Sequence, residues 1–404
     1  LKGHKLMNII VQKFGGTSVA TDESRERVVG KVIAAKTARD FPVVVVSAIG
    51  RKGSPYATDT LLDFVTSHVG SIMDREYDLL LSCGEIIAAV VIATLLTNKG
   101  YKAKALTGGQ AGIITDTHHK NADLLYTHPD PILACIEQNT IPVIAGFQGM
   151  SKDGEITTLG RGGSDTTAAL LAAGLKASRI EIYTDVDGIM TADPRVCDKA
   201  KIIPAISYNE VFQMADSGAK VIHPRAVEYA MRSNIPLIIK NTFTDEVGTC
   251  ITQMAKIVNG KNNHHLITSI AHRSDRVQFT IQDIEVDDQH LLDLIATQNI
   301  SIDLINIFPQ YKVFTVDRQH QAALETLLKN SHHQYTLLED CAKVTVIGER
   351  MTGVPGVMAR IVKALQKAHI EILQTADSLT TIGCLIRQDN VSRAVSALHD
   401  EFLL

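Results

Sequence analysis

The stretch FPVVVVSAIG (residues 41–50) sets four consecutive valines between a Phe-Pro pair and a small-residue run closed by glycine. Apolar character without the polar alternation of a half-exposed strand marks a strand buried on both faces. A sheet covered on both sides needs helices on both sides, so strands and helices should alternate around this segment. TIPVIAGFQG (140–149), RIEIYTDVDG (179–188) and IPLIIKNTF (235–243) repeat its form. Between them, TAALLAAGL (167–175) and RAVEYAMRS (225–233) carry helical patterns. The first 250 residues therefore predict βαβ units: an α/β domain over 7–250 with a largely parallel sheet sandwiched by helices.

The pattern changes beyond residue 250. TQMAKIVNGKNNHHL (252–266) is polar and carries Gly and Asn, so 251–266 is read as a linker. The chain then repeats itself at a spacing of about 70 residues: LLDLIATQNISIDLIN (291–306) parallels IVKALQKAHIEILQT (361–375). KVFTV (312–316) likewise parallels IGCLI (382–386), and AALETLL (322–328) parallels AVSALHDEF (394–402). Each repeat reads as strand–helix–strand–strand–helix, a ferredoxin-like α+β unit, over 267–340 and 341–404. Such units leave a strand unpaired and associate edge to edge, which suits a regulatory doublet.

The bulk composition narrows the function. A chain of 404 residues implies two or three domains. Its net charge of −4 gives no basic excess for nucleic acid. The longest apolar run, Ile86–Leu96, is too short for a bilayer and rich in alanine, so no membrane partner is expected. LKGHKL, ahead of Met7, lacks the apolar core of a signal peptide, and Met7 is read as the native start. Six scattered cysteines without a CxxC pair point to a reducing cytoplasm rather than to disulfides or zinc. The His pairs at 118–119, 264–265 and 332–333 lack a third ligand at helical spacing and are placed on exposed loops.

Four stretches carry candidate chemistry. In IIVQKFGGTSVAT (9–21) a strand ends at Lys13, followed by Gly15, Gly16 and Ser18. Bare backbone N–H groups and a lysine reaching across the turn suit a phosphate, although a Walker A lysine would follow its glycines. In TTLGRGGSDTTAALLAAGL (157–175), Arg161 sits among Gly160, Gly162 and Gly163, ahead of Ser164 and Asp165. A guanidinium on a glycine loop suits a carboxylate, while Ser164 or Asp165 would cap the following helix. YTDVDGIMTADPR (183–195) places Thr184, Asp185, Asp193 and Arg195 after a strand, where open α/β sheets bind ligands, and Lys220 follows in SGAKVIHPRA. In LLLSCGEIIAAVV (79–91), Glu85 is expected in the first turn of an apolar helix, where the helix dipole favours a carboxylate. VVSAIGRKGSPYATDTLL (45–62) adds Ser47 and Thr58.

KFGGTS (13–18), SCGE (82–85), GRGGSD (160–165), TDVDGIMTADPR (184–195) and GAKVIHPRA (218–226) together resemble the aspartokinase branch of the amino-acid kinase family. The doublet at 277–404 resembles its tandem ACT domains, so the resemblance covers essentially the whole chain. GRKGSPYATD (50–59) and LLLSCGE (79–85) resemble the diaminopimelate-sensitive Gram-positive type. The resemblance implies transfer of phosphate from ATP, with Mg²⁺, to the side-chain carboxylate of L-aspartate. It implies Lys13, Gly15, Gly16 and Ser18 at the β- and γ-phosphates, and Thr184, Asp185, Met190, Arg195 and Lys220 along the nucleotide. Met190 stands where relatives often have tyrosine, which puts a ring contact with adenine in doubt. Arg161, with Gly162, Gly163 and Ser164, would clamp the substrate carboxylate, and Glu85 would take the ammonium. Ser47, Thr58 and Asp165 would complete the aspartate pocket, with Lys13, Arg161 and Asp165 as the catalytic set.

A carboxylate nucleophile is ionised above pH about 4 and needs no general base, which fits a site rich in glycine and cations. An amino-acid effector, diaminopimelate first and lysine second, is expected at the Gly-Pro-Gly turn of ERMTGVPGVMARI (349–361), namely Val354, Pro355 and Gly356. Thr375, Asp377 and the first repeat's Asn299, Ile300, Ser301 and Asp303 would join it, with Asp377 or Asp303 facing an ammonium group. The first repeat's counterpart, IEVDDQHLLDLI (284–295), is acidic and lacks the glycines. A homodimer through the ACT repeats is expected. The alternatives are a glutamate or acetylglutamate kinase, or a non-catalytic amino-acid sensor. A dinucleotide oxidoreductase fits less well, because no GxGxxG follows the first strand.

Overall fold

A computed structural model describes residues 8–219, 222–254, 266–282 and 288–404. Met7, Lys220, His264, His265 and most of the expected linker lie outside the described residues, as does the start of the acidic stretch at 284. The described chain divides into two units. One holds 8–189, 202–211 and 222–254, and the other holds 190–201, 212–219, 266–282 and 288–404. The division differs from a single boundary near 250, because two short segments of the kinase-like sequence belong to the second unit.

In the first unit the apolar runs become the middle of an eight-stranded sheet. Its order is Ala205–Ser207, Thr249–Thr252, Leu237–Asn241, Arg179–Thr184, Asn8–Phe14, Asp40–Val46, Ile141–Ala145, Ala103–Leu106. All neighbours are parallel except Leu237–Asn241 with Thr249–Thr252. Phe41 through Val46 are all buried, as the unbroken valine run requires. The parallel arrangement brings the carboxyl ends of five central strands to one edge, where ligands bind in open α/β sheets. A small second sheet of Leu124–Thr127, Ile113–Thr115, Gln148–Ser151 and Ile156–Thr158 stands beside it.

The helix Asp74–Asn98 is longer than its apolar run, with 25 residues, and by length and composition alone it is apolar enough to cross a bilayer. Here it is a core helix, packed on Ile141–Ala145, Ala103–Leu106 and Ile156–Thr158. Asp78 on this helix is fully buried and fully used. Its carboxylate accepts from Thr158 Oγ1 at 2.6 Å, from the Thr158 and Lys120 N–H groups at 3.0 Å, and meets His119 Nδ1 at 2.8 Å. His119 is therefore no exposed loop residue. Neither is His333, which is buried, whereas His118 is exposed beside Asp116.

The second unit is built on a six-stranded antiparallel sheet. Its order is Asp303–Phe308, Tyr311–Asp317, Ser269–Gln282, Gln334–Ile347, Thr381–Arg387, Gln374–Asp377. The two central strands run 14 residues each, with register shifts around Arg273–Gln278. Asp275 and Asp340 adopt left-handed backbone there, at φ 58° and 53°. The repeats therefore interlock instead of meeting at 340/341: residues 269–273 pair with the second repeat's 343–347. Each repeat keeps its own core, around Phe279, Ile295, Phe314 and Leu324 in the first and Val344, Ile361, Leu365 and Leu398 in the second. The second core also takes in Ala192 and Cys197, which explains why 190–201 belongs to this unit.

Replacing Asp78 by alanine strands a buried hydroxyl and two backbone N–H groups, each costing about 1–3 kcal/mol. Asp78→Ala should lower the unfolding free energy by roughly 3 kcal/mol or more in a urea titration. An unchanged midpoint and slope would remove Asp78 from the framework.

Candidate active site

The carboxyl edge of the first sheet gathers Lys13, Ser47, Thr184 and the loops after them. Lys13 is the penultimate residue of its strand, and its Nζ lies 2.6 Å from Asp165 Oδ1, with both side chains largely out of solvent. Asp165 comes from the first turn of the helix Gly163–Leu175, so the two glycine loops of the sequence meet in one ion pair.

The glycines do a different job from the one expected. The Gly15 N–H donates to Tyr183 O at 3.1 Å, and the Gly16 carbonyl accepts from the Gly50 N–H at 3.0 Å. A Cβ on Gly16 would sit 2.5 Å from Gly50 O and 2.8 Å from Ala48 O, both rigid backbone atoms. The turn thus fastens the loops after two neighbouring strands, and the Gly15 amide is not free for a phosphate. Ser18 is wholly buried, its hydroxyl 2.6 Å from Thr242 Oγ1, so it ties the turn to the next strand end. Thr17, the other hydroxyl of the turn, is left partly exposed.

Arg161 stands exposed between Gly160 and Gly162, both left-handed at φ 73° and 69°. Among the described residues its guanidinium has no ion pair or hydrogen-bond partner. Gly162 caps the helix, so neither Ser164 nor Asp165 does. Ser164 is buried against Gly146, and Gly163 packs on Phe147. The His223 ring occupies the space a Cβ at Gly162 would need. Arg225 Nη1 donates to Leu159 O at 2.9 Å, and Nη2 pairs with Asp123 at 3.0 Å. His223 and Arg225 brace the arginine loop. Their signal was the HPRA of the motif, from which the sequence reading took only Lys220, outside the described residues.

Glu85 departs most from expectation. Its helix begins at Asp74, so Glu85 lies at the centre of the helix and gains nothing from an N-terminal dipole. It is buried, with one oxygen accepting from the Ala48 N–H at 3.2 Å and Oε2 left without a partner. Burial pushes its pKa up to about 8, against a weaker pull from the Ala48 N–H. Gly84 allows the approach of Ala48 and Tyr56, since a Cβ there would lie 2.8 Å from the Ala48 Cβ and 2.9 Å from Tyr56 O. Ser47 donates its N–H to Phe14 O at 3.0 Å, and Thr58 opens the helix Thr58–Val69.

Thr184 and Asp185 lie at the same edge. Thr184 Oγ1 donates to Asp185 Oδ1 at 3.2 Å, and Asp185 Oδ2 meets Arg51 Nη2 at 2.7 Å. Met190 and Arg195 belong to the second unit. There the exposed Arg195 guanidinium is spent on Asp193, at 3.0 and 2.7 Å.

Within the second unit, Asp303 does not offer a free carboxylate: Lys343 Nζ holds it at 2.8 and 2.9 Å. That leaves Asp377, exposed and without a partner among the described residues. Gln374 binds Leu304 O and accepts from Gln278 at 2.9 Å, and its amide reaches Asn306 Oδ1 at 2.6 Å. It draws the strand after Ile300–Ser301 alongside Thr375. Asn299 turns at φ 53°, and Gly356 caps its helix at φ 89° in an exposed turn with Val354 and Pro355. Gln374 and Lys343 were not foreseen from the sequence.

The amino acid kinase family model matches residues 8–241, and an ACT domain model matches 337–400. Aspartokinase 1 of Bacillus subtilis is 43% identical over 405 residues, covering 98% of this chain and all of that protein. Escherichia coli aspartokinase III, solved with aspartate and ADP in its R-state, aligns at 25% identity with a TM-score of 0.73. The alignment covers 98% of this chain and 100% of that one. The same enzyme solved with lysine and aspartate in its T-state aligns at 26% identity and a TM-score of 0.75, with the same coverage.

The raised pKa of Glu85 fixes a pH dependence of stability. Below the ordinary value of 4.5 the folded and unfolded chains both hold the proton. Between that value and about 8 only the folded chain keeps it, so stability falls as pH rises through this window. Glu85→Gln removes the ionisable group. Its Tm advantage over the parent should therefore widen from pH 5 to pH 8 and then level off; a pH-independent difference would contradict the burial of a protonated carboxyl.

Proposed function

The chain belongs to the aspartokinase family, and we propose that it moves the γ-phosphoryl group of ATP onto the side-chain carboxylate of L-aspartate. The product is 4-phospho-L-aspartate, and an amino-acid end product controls the enzyme through the ACT repeats. One observation carries the reading: the Lys13–Asp165 pair, the unpartnered Arg161 and the half-satisfied carboxyl of Glu85 all belong to one unit, on motifs that sequence separates by up to about 150 residues.

In this reading a carboxylate oxygen of aspartate attacks the γ-phosphorus, the bond to the β-phosphate oxygen breaks, and ADP leaves. Lys13 meets the transferring group, with Gly16, Thr17 and Thr184 lining the phosphate side. No proton has to be removed, so the protein's task is alignment and charge neutralisation. Arg161 on its glycine loop clamps the α-carboxylate, and Glu85 receives the α-ammonium. A neutral Glu85 gives up its proton to solvent as the ammonium arrives, so the buried charge appears only with its partner. Ser47, Thr58, Gly162, Gly163 and Ser164 shape the pocket. Mg²⁺, bound with the nucleotide, would neutralise phosphate charge. Among the described residues no three His, Cys, Asp or Glu side chains group to hold an ion, and Mg²⁺ is content with phosphates and water. The roles of Met190, Arg195 and Lys220 rest on the motif alone.

The effector reading keeps Val354, Pro355, Gly356, Thr375 and Asp377, with Asn299, Ile300 and Ser301. Asp377 replaces Asp303 as the partner of an effector ammonium. Diaminopimelate is the first choice and lysine the second, the latter supported by a relative solved with lysine. A homodimer through the ACT repeats is supported by an apolar edge, where Ile305, Ile307, Phe308 and Tyr311 are all exposed. The six cysteines form no disulfide among the described residues, which favours a cytoplasmic location.

ADP release with aspartate, glutamate and acetylglutamate as acceptors tests the substrate; turnover with either rival and not with aspartate would overturn it. Lys13→Ala should lower kcat by a hundredfold or more, whereas Arg161→Ala should chiefly raise the aspartate KM; the reverse pattern would exchange their roles. Titration with diaminopimelate, lysine and threonine identifies the effector. Sedimentation of Ile307→Asp should show monomer where the parent is a dimer, and an unchanged dimer would place the interface elsewhere.

A further inference from the structure

The loop after the Asp40–Val46 strand carries two cations, Arg51 and Lys52, that the reading above leaves without a task. Lys52 is paired with Asp63 of the next helix at 3.0 Å. Arg51 instead reaches to another strand end, where its Nη2 lies 2.7 Å from Asp185 Oδ2. Both loops are fastened to the turn between them: Gly50 donates its N–H to Gly16 O, and Tyr183 O accepts from the Gly15 N–H. The Arg51–Asp185 pair therefore links the two loops that flank the Gly15–Gly16 turn.

The charges at this edge make the placement informative. Lys13 already has a carboxylate at 2.6 Å, and Arg161 serves the acceptor's carboxylate in the reading above. A nucleoside triphosphate keeps a net negative charge even with Mg²⁺ bound, more than Lys13 alone can balance. Arg51 and Asp185 are 73% and 40% exposed, and an exposed pair of this kind adds little stability. It is readily exchanged for a more highly charged partner. Gly50 and Gly53, at φ 84° and 95°, flank the two cations and set the loop's sharp turns.

We propose that Arg51 is a nucleotide-phosphate ligand, held by Asp185 beside the Gly15–Gly16 turn until phosphate takes its place. A guanidinium offers phosphate two parallel N–H donors, which a lysine at the same point does not. The exchange makes and breaks only hydrogen bonds and ion pairs. The proposal rests on reading the Gly15–Gly16 turn as the phosphate side of the site.

The test is steady-state kinetics on the full chain, varying ATP at saturating aspartate and aspartate at saturating ATP. Arg51→Ala should raise the KM for ATP about tenfold, the loss of one charge-assisted contact. It should leave the KM for aspartate and the Tm unchanged, and Arg51→Lys should recover only part of the loss. An unchanged ATP KM in Arg51→Ala, with Lys13→Ala inactive, overturns the proposal while keeping the phosphate reading. A change confined to the aspartate KM also overturns it, placing Arg51 on the acceptor side. Full activity in Lys13→Ala removes the phosphate reading of the turn, and the proposal with it.

Discussion

The backbone of Gly16 lies against the carbonyls of Ala48 and Gly50, closer than any side chain permits. The site depends on this contact. It brings the loop after Asp40–Val46 onto the turn after Asn8–Phe14, while the Gly15 N–H draws in the strand end at Tyr183. Three parallel strands end side by side, but parallel pairing alone leaves their loops free to diverge. Backbone hydrogen bonds through a glycine turn, with the Ser18–Thr242 contact behind them, fix the loops together. Lys13 is held at a definite distance from Asp165 because both residues grow from elements locked by glycines, and preorganised charge is what phosphoryl transfer requires of its protein.

The core helix Asp74–Asn98 carries a second constraint. Its two buried carboxylates have opposite fates. Asp78 is saturated with donors and joins the helix to the small second sheet. Glu85, two turns on, receives one N–H and keeps an oxygen unpaired. A buried polar atom left unsatisfied costs stability, and in the proposed function the substrate ammonium is what completes it.

Much of this was legible in the sequence. The valine run of 41–46 gave the central strand because apolar periodicity reports burial directly, and the repeat at about 70 residues gave the regulatory doublet for the same reason. The reading failed where the deciding partner lies far along the chain. Glu85 was placed at a helix start because only the apolar stretch 79–91 was read as helix, and the helix in fact begins at Asp74, with Asp78 made interior by tertiary partners such as Thr158. Ser18 looked like a phosphate ligand until Thr242 took its hydroxyl, and Asp303 looked available until Lys343 neutralised it. Pairings of this kind leave no periodic trace, so a motif can name the residues of a site without saying which already have partners.

The division into two units was illegible for a related reason. The segment 190–201 reads as a continuation of a nucleotide-binding motif, yet Ala192 and Cys197 are buried in the core of the second ACT repeat. The Ile270 N–H donates to Thr191 O at 2.8 Å, and the Thr191 hydroxyl lies 2.9 Å from His399 Nε2 in the last helix. Lys199 pairs with Asp400 on that same helix at 2.7 Å. The chain leaves the first unit at Ile189 and re-enters it at Ile202, so both ends of the segment are single peptide bonds to the catalytic unit. Packed side chains have discrete arrangements and do not deform continuously. A segment that shares a core with the regulatory repeat therefore keeps that repeat's conformation.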